Sequence, residues 1–374
     1  CPEVEDAVVD YFEGKEDFDT IIQIDLLDNA IEQVIKQLSQ DIDSEVLLFL
    51  NNLTSIYIDI NGVKSSYKKE YVSKDKLKII NTTVESATDN IWNIYNLEGK
   101  FEDINRDYHL SVAWQNDFAQ TKDVVYSYFR TKVPIQCKGI IHGSFELNAD
   151  RNLIIDDEEE YNKKLTALLP ILLTEASEKV AQIEKNNFNY KALNFLEADF
   201  QSLNHLADNK ILKNNILNLI KDKNVFPVTS NQYIKWKNED KPVFYGEAIF
   251  SKYLKPEEYS DLLLHSEEEF IIKCFETLGL ETYKIDGIIN SIGLQKNEIS
   301  LEDYALLIKT ISNYVNKDND LSITEGLFFD NKRNLLSFDA PIFLPNLDVK
   351  YSLPKELGIQ IISNDLSNEL LKIY

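Results

Sequence analysis

The chain has 374 residues, with 63 acidic against 39 basic side chains and a formal net charge of −24. Hydrophobic residues make up 44% and charged residues 27%, which supports a packed core and excludes a disordered chain. The negative charge repels phosphate backbones and disfavours direct nucleic-acid binding.

No apolar run reaches the ~18 residues of a membrane span, and no signal peptide opens the sequence. Cys1, Cys137 and Cys274 are widely spaced and form no C-x-x-C pair. Neither a disulfide framework nor a zinc site follows from them, so a reducing, cytoplasmic setting is expected. The sequence opens at Cys1 and contains no Met, from which a longer polypeptide is expected to begin upstream.

In chain order, Phe18 to Leu26 alternates as a strand does, and Asp28 to Leu38 has apolar residues at helical spacing. A second helical run, Ser44 to Leu53, leads into Ser55–Ile60, where Ile56, Ile58 and Ile60 share one strand face. Asn61-Gly62 then predicts a hairpin turn. Ser66 to Val72, Leu77 to Thr83 and Tyr108 to Trp114 read as further strands, and Val133 to Leu147 as a longer β-like stretch.

Asp156 to Glu184 reads as one long helix, with the acidic run Asp156 to Glu160 as its first turn and a kink or break near Pro170. Asn186, Asn187 and Asn189 form a polar linker, taken as a domain boundary. Beyond it helices alternate with short strands. Ser266 and Ser300 are expected N-caps with an acidic residue three positions on, and Pro256 a first-turn proline. The fold class is α+β: a middle domain with a mixed sheet and long helices, followed by a second domain containing α and β elements.

The familiar catalytic patterns are missing. None of the 11 glycines falls in G-x-G-x-x-G or G-x-x-x-x-G-K-[ST], the loops whose backbone amides cradle phosphates. His109, His142, His205 and His265 show no metal-ligand spacing. Asn316 to Asp320 starts like a calcium loop, but Leu321 and Leu327 replace the required Gly and Glu. The many carboxylates offer no pair that marks a hydrolase.

The stretch that remains is Gly143-Ser-Phe145-Glu-Leu147-Asn148-Ala-Asp150-Arg151, between a β-like run and the long helix. It resembles the catalytic loop in the middle domain of the ninety-kilodalton heat-shock chaperones. It is closer still to the corresponding segment of bacterial proteins with a sacsin-like GHKL ATPase. Phe18 to Leu26 is similar to the closing strand of a GHKL ATP-binding domain, and Glu45 to Leu53 to the helix that follows it. Asp25-Leu-Leu-Asp-Asn29 has the spacing of the magnesium-holding helix of that family, but no D-x-G-x-G segment follows.

The resemblance covers about the first half of the chain. It implies that residues 1–40 close an upstream ATP-binding domain, that 41–188 form a middle, transducer-like domain, and that 189–374 form a C-terminal α+β domain. It further implies that Arg151 reaches the γ-phosphate of ATP held with Mg by the upstream domain, with Asn148 fixing the loop. A guanidinium suits that task because it stays charged and offers several donors to phosphate oxygens. The chaperone loop carries a Gln four residues beyond its Arg, where this sequence has Ile155. Homodimerisation is also an expectation of the resemblance. The other reading left by the residues is a non-catalytic acidic interaction scaffold with a protein partner, in which Arg151 only pairs with Asp150 or Asp156.

Overall fold

The computed structural model describes residues 32, 44–60, 62–83, 86–118, 124–156, 160–228, 230–236, 248–253, 263–279, 288–289, 292–293, 295–315, 326–337, 341–345 and 358–374. The expected elements at Phe18–Leu26 and Asp28–Leu38 (Glu32 apart), Pro256 and the Asn316–Asp320 turn lie outside these residues. The architecture is α+β, built on an eight-stranded mixed sheet.

The first described helix, α1 (Val46–Phe49), is shorter than the periodicity of Ser44 to Leu53 predicts. Leu50 turns extended, at φ −90 and ψ 92, and Asn51-Asn52 form a turn. The four apolar side chains of α1 are all buried, and the Lys69 ammonium donates to the Leu50 carbonyl at 2.6 Å. Burial holds the pKa of that lysine below its ordinary value.

Strands β1 (Ser55–Ile60), β2 (Val63–Ser73), β3 (Lys76–Thr82), β4 (Ala87–Phe101) and β5 (Arg106–Trp114) form an antiparallel meander. The hairpin that joins β1 to β2 is where the sequence places it. Ile60 faces Val63, Gly62 has φ +84, and its N–H donates to Asp59 Oδ1 at 2.9 Å. Strand β4 has no counterpart in the sequence reading, because Asn90, Asn93 and Asn96 dilute its β-propensity. Its central place supplies the missing incentive: β3 and β5 pair with it on both sides, and Asn96 Oδ1 accepts from Ser111 Oγ at 2.7 Å.

Beyond β5 the sheet continues through β6 (Val124–Ser127), β7 (Phe129–Pro134) and β8 (Ile140–Gly143), in the order β5-β8-β6-β7. Only the β6–β8 pairing is parallel among these sheet strands. One face of the sheet packs Trp92, Ile94, Ala113 and Ile140 against α1. The other packs Leu110, Val112, Trp114 and Ile141 into a larger helical core.

The expected helix of Asp156 to Glu184 is two helices, α2 (Tyr161–Ala167) and α3 (Leu169–Ile183), broken at Leu168. Pro170 sits in the first turn of α3, where a missing N–H costs nothing. The acidic run does not form the first turn of α2. Glu160 precedes the helix in a left-handed conformation, φ 58, and Lys163 pairs with Asp156 and Glu160 at 3.0 and 3.7 Å.

Two 3₁₀ segments (Lys191–Glu197 and Gln201–Leu203) follow, then α4 (Asn209–Ile220), the hairpin β9 (Phe226–Val228) and β10 (Gln232–Ile234), α5 (Ala248–Tyr253) and α6 (Glu269–Leu278). Last come α7 (Leu301–Val315), the parallel pair β11 (Ile342–Phe343) and β12 (Gln360–Ile361), and α8 (Asn364–Ile373). Ser300 accepts from the Asp303 N–H at 3.2 Å, as a cap should. Ser266 does not form the expected box, because its hydroxyl accepts from the Glu268 N–H and α6 begins only at Glu269.

The Asn186–Asn189 stretch does not separate two cores. One apolar cluster runs from Leu110 to Leu278, and Asn189 is tied to Tyr233 through both its N–H and its carbonyl. A different cluster holds Phe250 with Ile288 to Leu370. The change of core therefore falls later than the polar linker suggests. Among the described residues no helix is long and apolar enough to cross a membrane.

Candidate functional site

The segment singled out in the sequence begins where β8 ends. A Cβ on Gly143 would lie 2.5 Å from the Phe145 ring and 2.8 Å from Leu110, so only glycine lets Phe145 fold back into the core, where it is 5% exposed. Leu147 then bridges Ile154 in antiparallel fashion. Between them lies a closed loop. The Asn148 N–H donates to the Leu153 carbonyl at 2.9 Å, and the Arg151 N–H to the Asn148 carbonyl at 2.8 Å. The Asn148 side chain accepts from the N–H groups of Asn152 and Leu153 at 2.9 and 3.1 Å. An Asx side chain used this way substitutes for backbone pairing and fixes the turn.

Arg151 occupies the tip. Its φ of +55 is left-handed, a conformation that costs a non-glycine residue about 1 kcal/mol or more. The side chain is exposed. Asp156, a partner that the sequence leaves open, is held by Lys163 instead. Among the described residues no carboxylate or carbonyl binds the Arg151 guanidinium.

The base of the loop is as constrained as its tip is free. Asn162, on the first turn of α2, is fully buried. Its Oδ1 accepts from the Glu146 N–H at 2.9 Å, while its Nδ2 donates to the carbonyls of Glu146 and Ile155 at 2.9 and 2.7 Å. One side chain thus spans both arms of the loop. Around it, Tyr161 Oη lies 2.7 Å from Ser144 Oγ and donates to the Asp107 carbonyl at 3.0 Å. Arg106 pairs with Glu146 at 2.6 Å and lies 4.1 Å above the Tyr161 ring. Desolvation pushes the Tyr161 hydroxyl above its ordinary pKa. On the outer side, the Lys132 N–H donates to Asn152, and His205 approaches the Ile154 carbonyl at 3.2 Å.

The sequence reading did not single out Asn162. The only available cue was a poor helix former near the start of an apolar periodic run. Its role depends on which carbonyls the fold brings to it, and sequence spacing does not show that.

A second polar group lies on the α1 face of the sheet. Ser111, His109 and Glu98 look like parts of a nucleophilic triad, but their geometry excludes it. Ser111 is fully buried and its hydroxyl donates to Asn96. The same His109 nitrogen, Nε2, faces both Ser111 at 2.9 Å and Glu98 at 3.5 Å, whereas a relay needs the two on opposite ring nitrogens.

His142 next to it is fully buried, and neither ring nitrogen has a partner among the described residues. It stacks on Phe49 at 4.7 Å and meets Tyr128 and His109 at 5.2 Å. Burial, and secondarily His109, pushes its pKa down to about 3. His142 is thus a neutral aromatic filler that docks α1.

No protein family, curated protein or solved structure matches this chain. Among the described residues no group of three or more His, Cys, Asp or Glu side chains is placed to hold a metal ion. Cys137 and Cys274 are both buried.

Proposed function

We propose that this chain contains the middle region of a GHKL-type, chaperone-like ATPase, in which Arg151 contacts the γ-phosphate of ATP bound by an upstream domain. The observation that carries this reading is the contrast between the tip and base of the loop. An exposed guanidinium in a costly backbone conformation stands on a stem whose polar groups are satisfied by Asn148 and Asn162. Strain held by a well-determined surrounding is a mark of functional loops.

The chemistry assigned to the loop is electrostatic. Bound ATP and Mg²⁺, held by the upstream domain, would supply the transferable phosphoryl group. Arg151 fits the phosphate part of that assembly, because it offers fixed donors to charge that grows on the phosphate oxygens. The rigid stem lowers the cost of placing it there. Coupling to the rest of the chain then passes through α2, which carries Asn162. A homodimer would bring two such loops together.

The test joins the ATP-binding domain to this chain and compares wild type with Arg151→Ala and Arg151→Lys. Turnover is expected to fall on the order of a hundredfold or more for the alanine variant, with the lysine variant between the two. Unchanged turnover in a folded Arg151→Ala protein would refute the role.

A second reading, the acidic interaction scaffold, draws on the exposed ribbon of β1 and β2, where Tyr57 is 79% and Tyr71 60% exposed. Exposed apolar surface of this kind marks contact sites. It gains weight if no ATP turnover is seen with the domain attached and Tyr57→Ser/Tyr71→Ser abolishes capture of a protein partner.

A further inference from the structure

A cleft of about 470 Å³ opens between the first 3₁₀ segment, α4 and α6. Leu196, Leu217, Phe270 and Cys274 form its apolar lining, and Lys213 and Lys273 stand on its rim. We propose that this cleft binds a small monoanionic amphiphile, with an apolar body against Phe270 and the two leucines and a carboxylate-like head group at Lys273 and Lys213.

Three features carry the assignment. The volume is that of a small-molecule site, roughly 300–1,000 Å³. Leu196, Leu217 and Phe270 are only partly buried at the edge of the main core, so a bound hydrocarbon would remove their remaining surface from water.

The charge has the right sign in an otherwise acidic protein. Lys213 pairs with Asp199, outside the lining, at 2.5 Å, and the acidic lining residue Glu197 pairs with Lys138 at 3.6 Å. Lys273 is exposed, and among the described residues no carboxylate pairs with it. One uncompensated cation beside an apolar wall suits one negative charge on an apolar ligand. The Cys274 side of the lining is buried: desolvation, then Glu197, pushes its thiol up to about 12. A second apolar groove, lined by Leu371 and Tyr374, has no charged lining residue. Nothing in this proposal depends on the role of Arg151.

The test uses 8-anilinonaphthalene-1-sulfonate, itself an aromatic monoanion, titrated into the full chain by fluorescence. One saturable site per chain is expected. Lys273→Glu should weaken it about tenfold or more, whereas Lys273→Arg leaves it within about twofold. Thr277→Trp, which fills the mouth from an exposed position, should abolish binding, and Leu371→Ser in the other groove should leave it intact. Circular dichroism and melting temperature confirm that each variant is folded.

Displacement by decanoate identifies an acyl ligand, and displacement by 1-naphthoate an aromatic one. Decanol, lacking the charge, should compete at least about tenfold more weakly. The proposal fails if folded Lys273→Glu and Thr277→Trp chains bind the probe as wild type does. It fails equally if Leu371→Ser removes binding, or if neither acid displaces the probe.

Discussion

Replacing Asn162 tests the base of the Arg151 loop directly. Asn162→Ala strips the partner from the Glu146 N–H and from the carbonyls of Glu146 and Ile155. Ile155 is 36% exposed, so water can reach its carbonyl and only part of the full penalty is felt. At about 1 kcal/mol for each of the bonds, the loss is about 3 kcal/mol, or about 6–12 °C in melting temperature for a unit of this size.

Asn162→Asp has the same shape but a different sign of interaction. Its carboxylate still accepts from the Glu146 N–H, yet places an oxygen where the amide donated to two carbonyls. The new carboxyl's pKa is therefore raised in the folded state above the unfolded value. A raised folded pKa means stability present in acid and lost as pH climbs through the carboxylate range and beyond. In scanning calorimetry, Asn162→Asp should match or exceed the alanine variant near pH 4 and fall below it at pH 8. If both variants melt with wild type, or if their difference ignores pH, the clamp is not what holds the loop.

Three further outcomes are expected. His142→Leu removes two buried, unpartnered ring nitrogens and should leave stability at pH 8 unchanged or raise it by about 1 kcal/mol. Because the folded pKa of His142 is depressed, from 6.5 to about 3, its destabilisation appears as pH falls below 6.5. Wild type should therefore lose about 2 kcal/mol more than His142→Leu between pH 8 and pH 5, measured by urea unfolding. Gly143→Ala forces Phe145 or Leu110 aside and should cost about 1–3 kcal/mol in the same assay. Arg151→Gly relieves a left-handed φ while adding chain entropy, so its stability should stay within about 1 kcal/mol of wild type.

The elements legible in the sequence were those whose pattern is local. The β1–β2 hairpin and the helix break near Pro170 follow from backbone preferences of single residues, and both stand where expected. Strand β4 was not legible, because three asparagines contradict a strand that only its two neighbours make favourable. The shortened α1 has the same origin. Its apolar periodicity continues past Phe49, but Leu50 leaves the helix and its carbonyl is taken by Lys69, which is distant in sequence.

The candidate loop was legible through Gly143, Phe145, Leu147, Asn148 and Arg151, whose spacing is contiguous. Asn162 and the Arg106–Glu146 pair, which complete its base, were not. Asn162 lies on α2 and Arg106 on β5, and only the folded chain shows what they touch.

The apolar cluster from Leu110 to Leu278 has a mechanical consequence. Close-packed interiors compress little and pass strain along. The Arg151 loop is rooted in this cluster through Phe145 and Ile154, and α6 through Ile271 and Phe275. The two ends are therefore packed into the same core. A displacement imposed at α6 would reach the stem of the Arg151 loop through packed side chains.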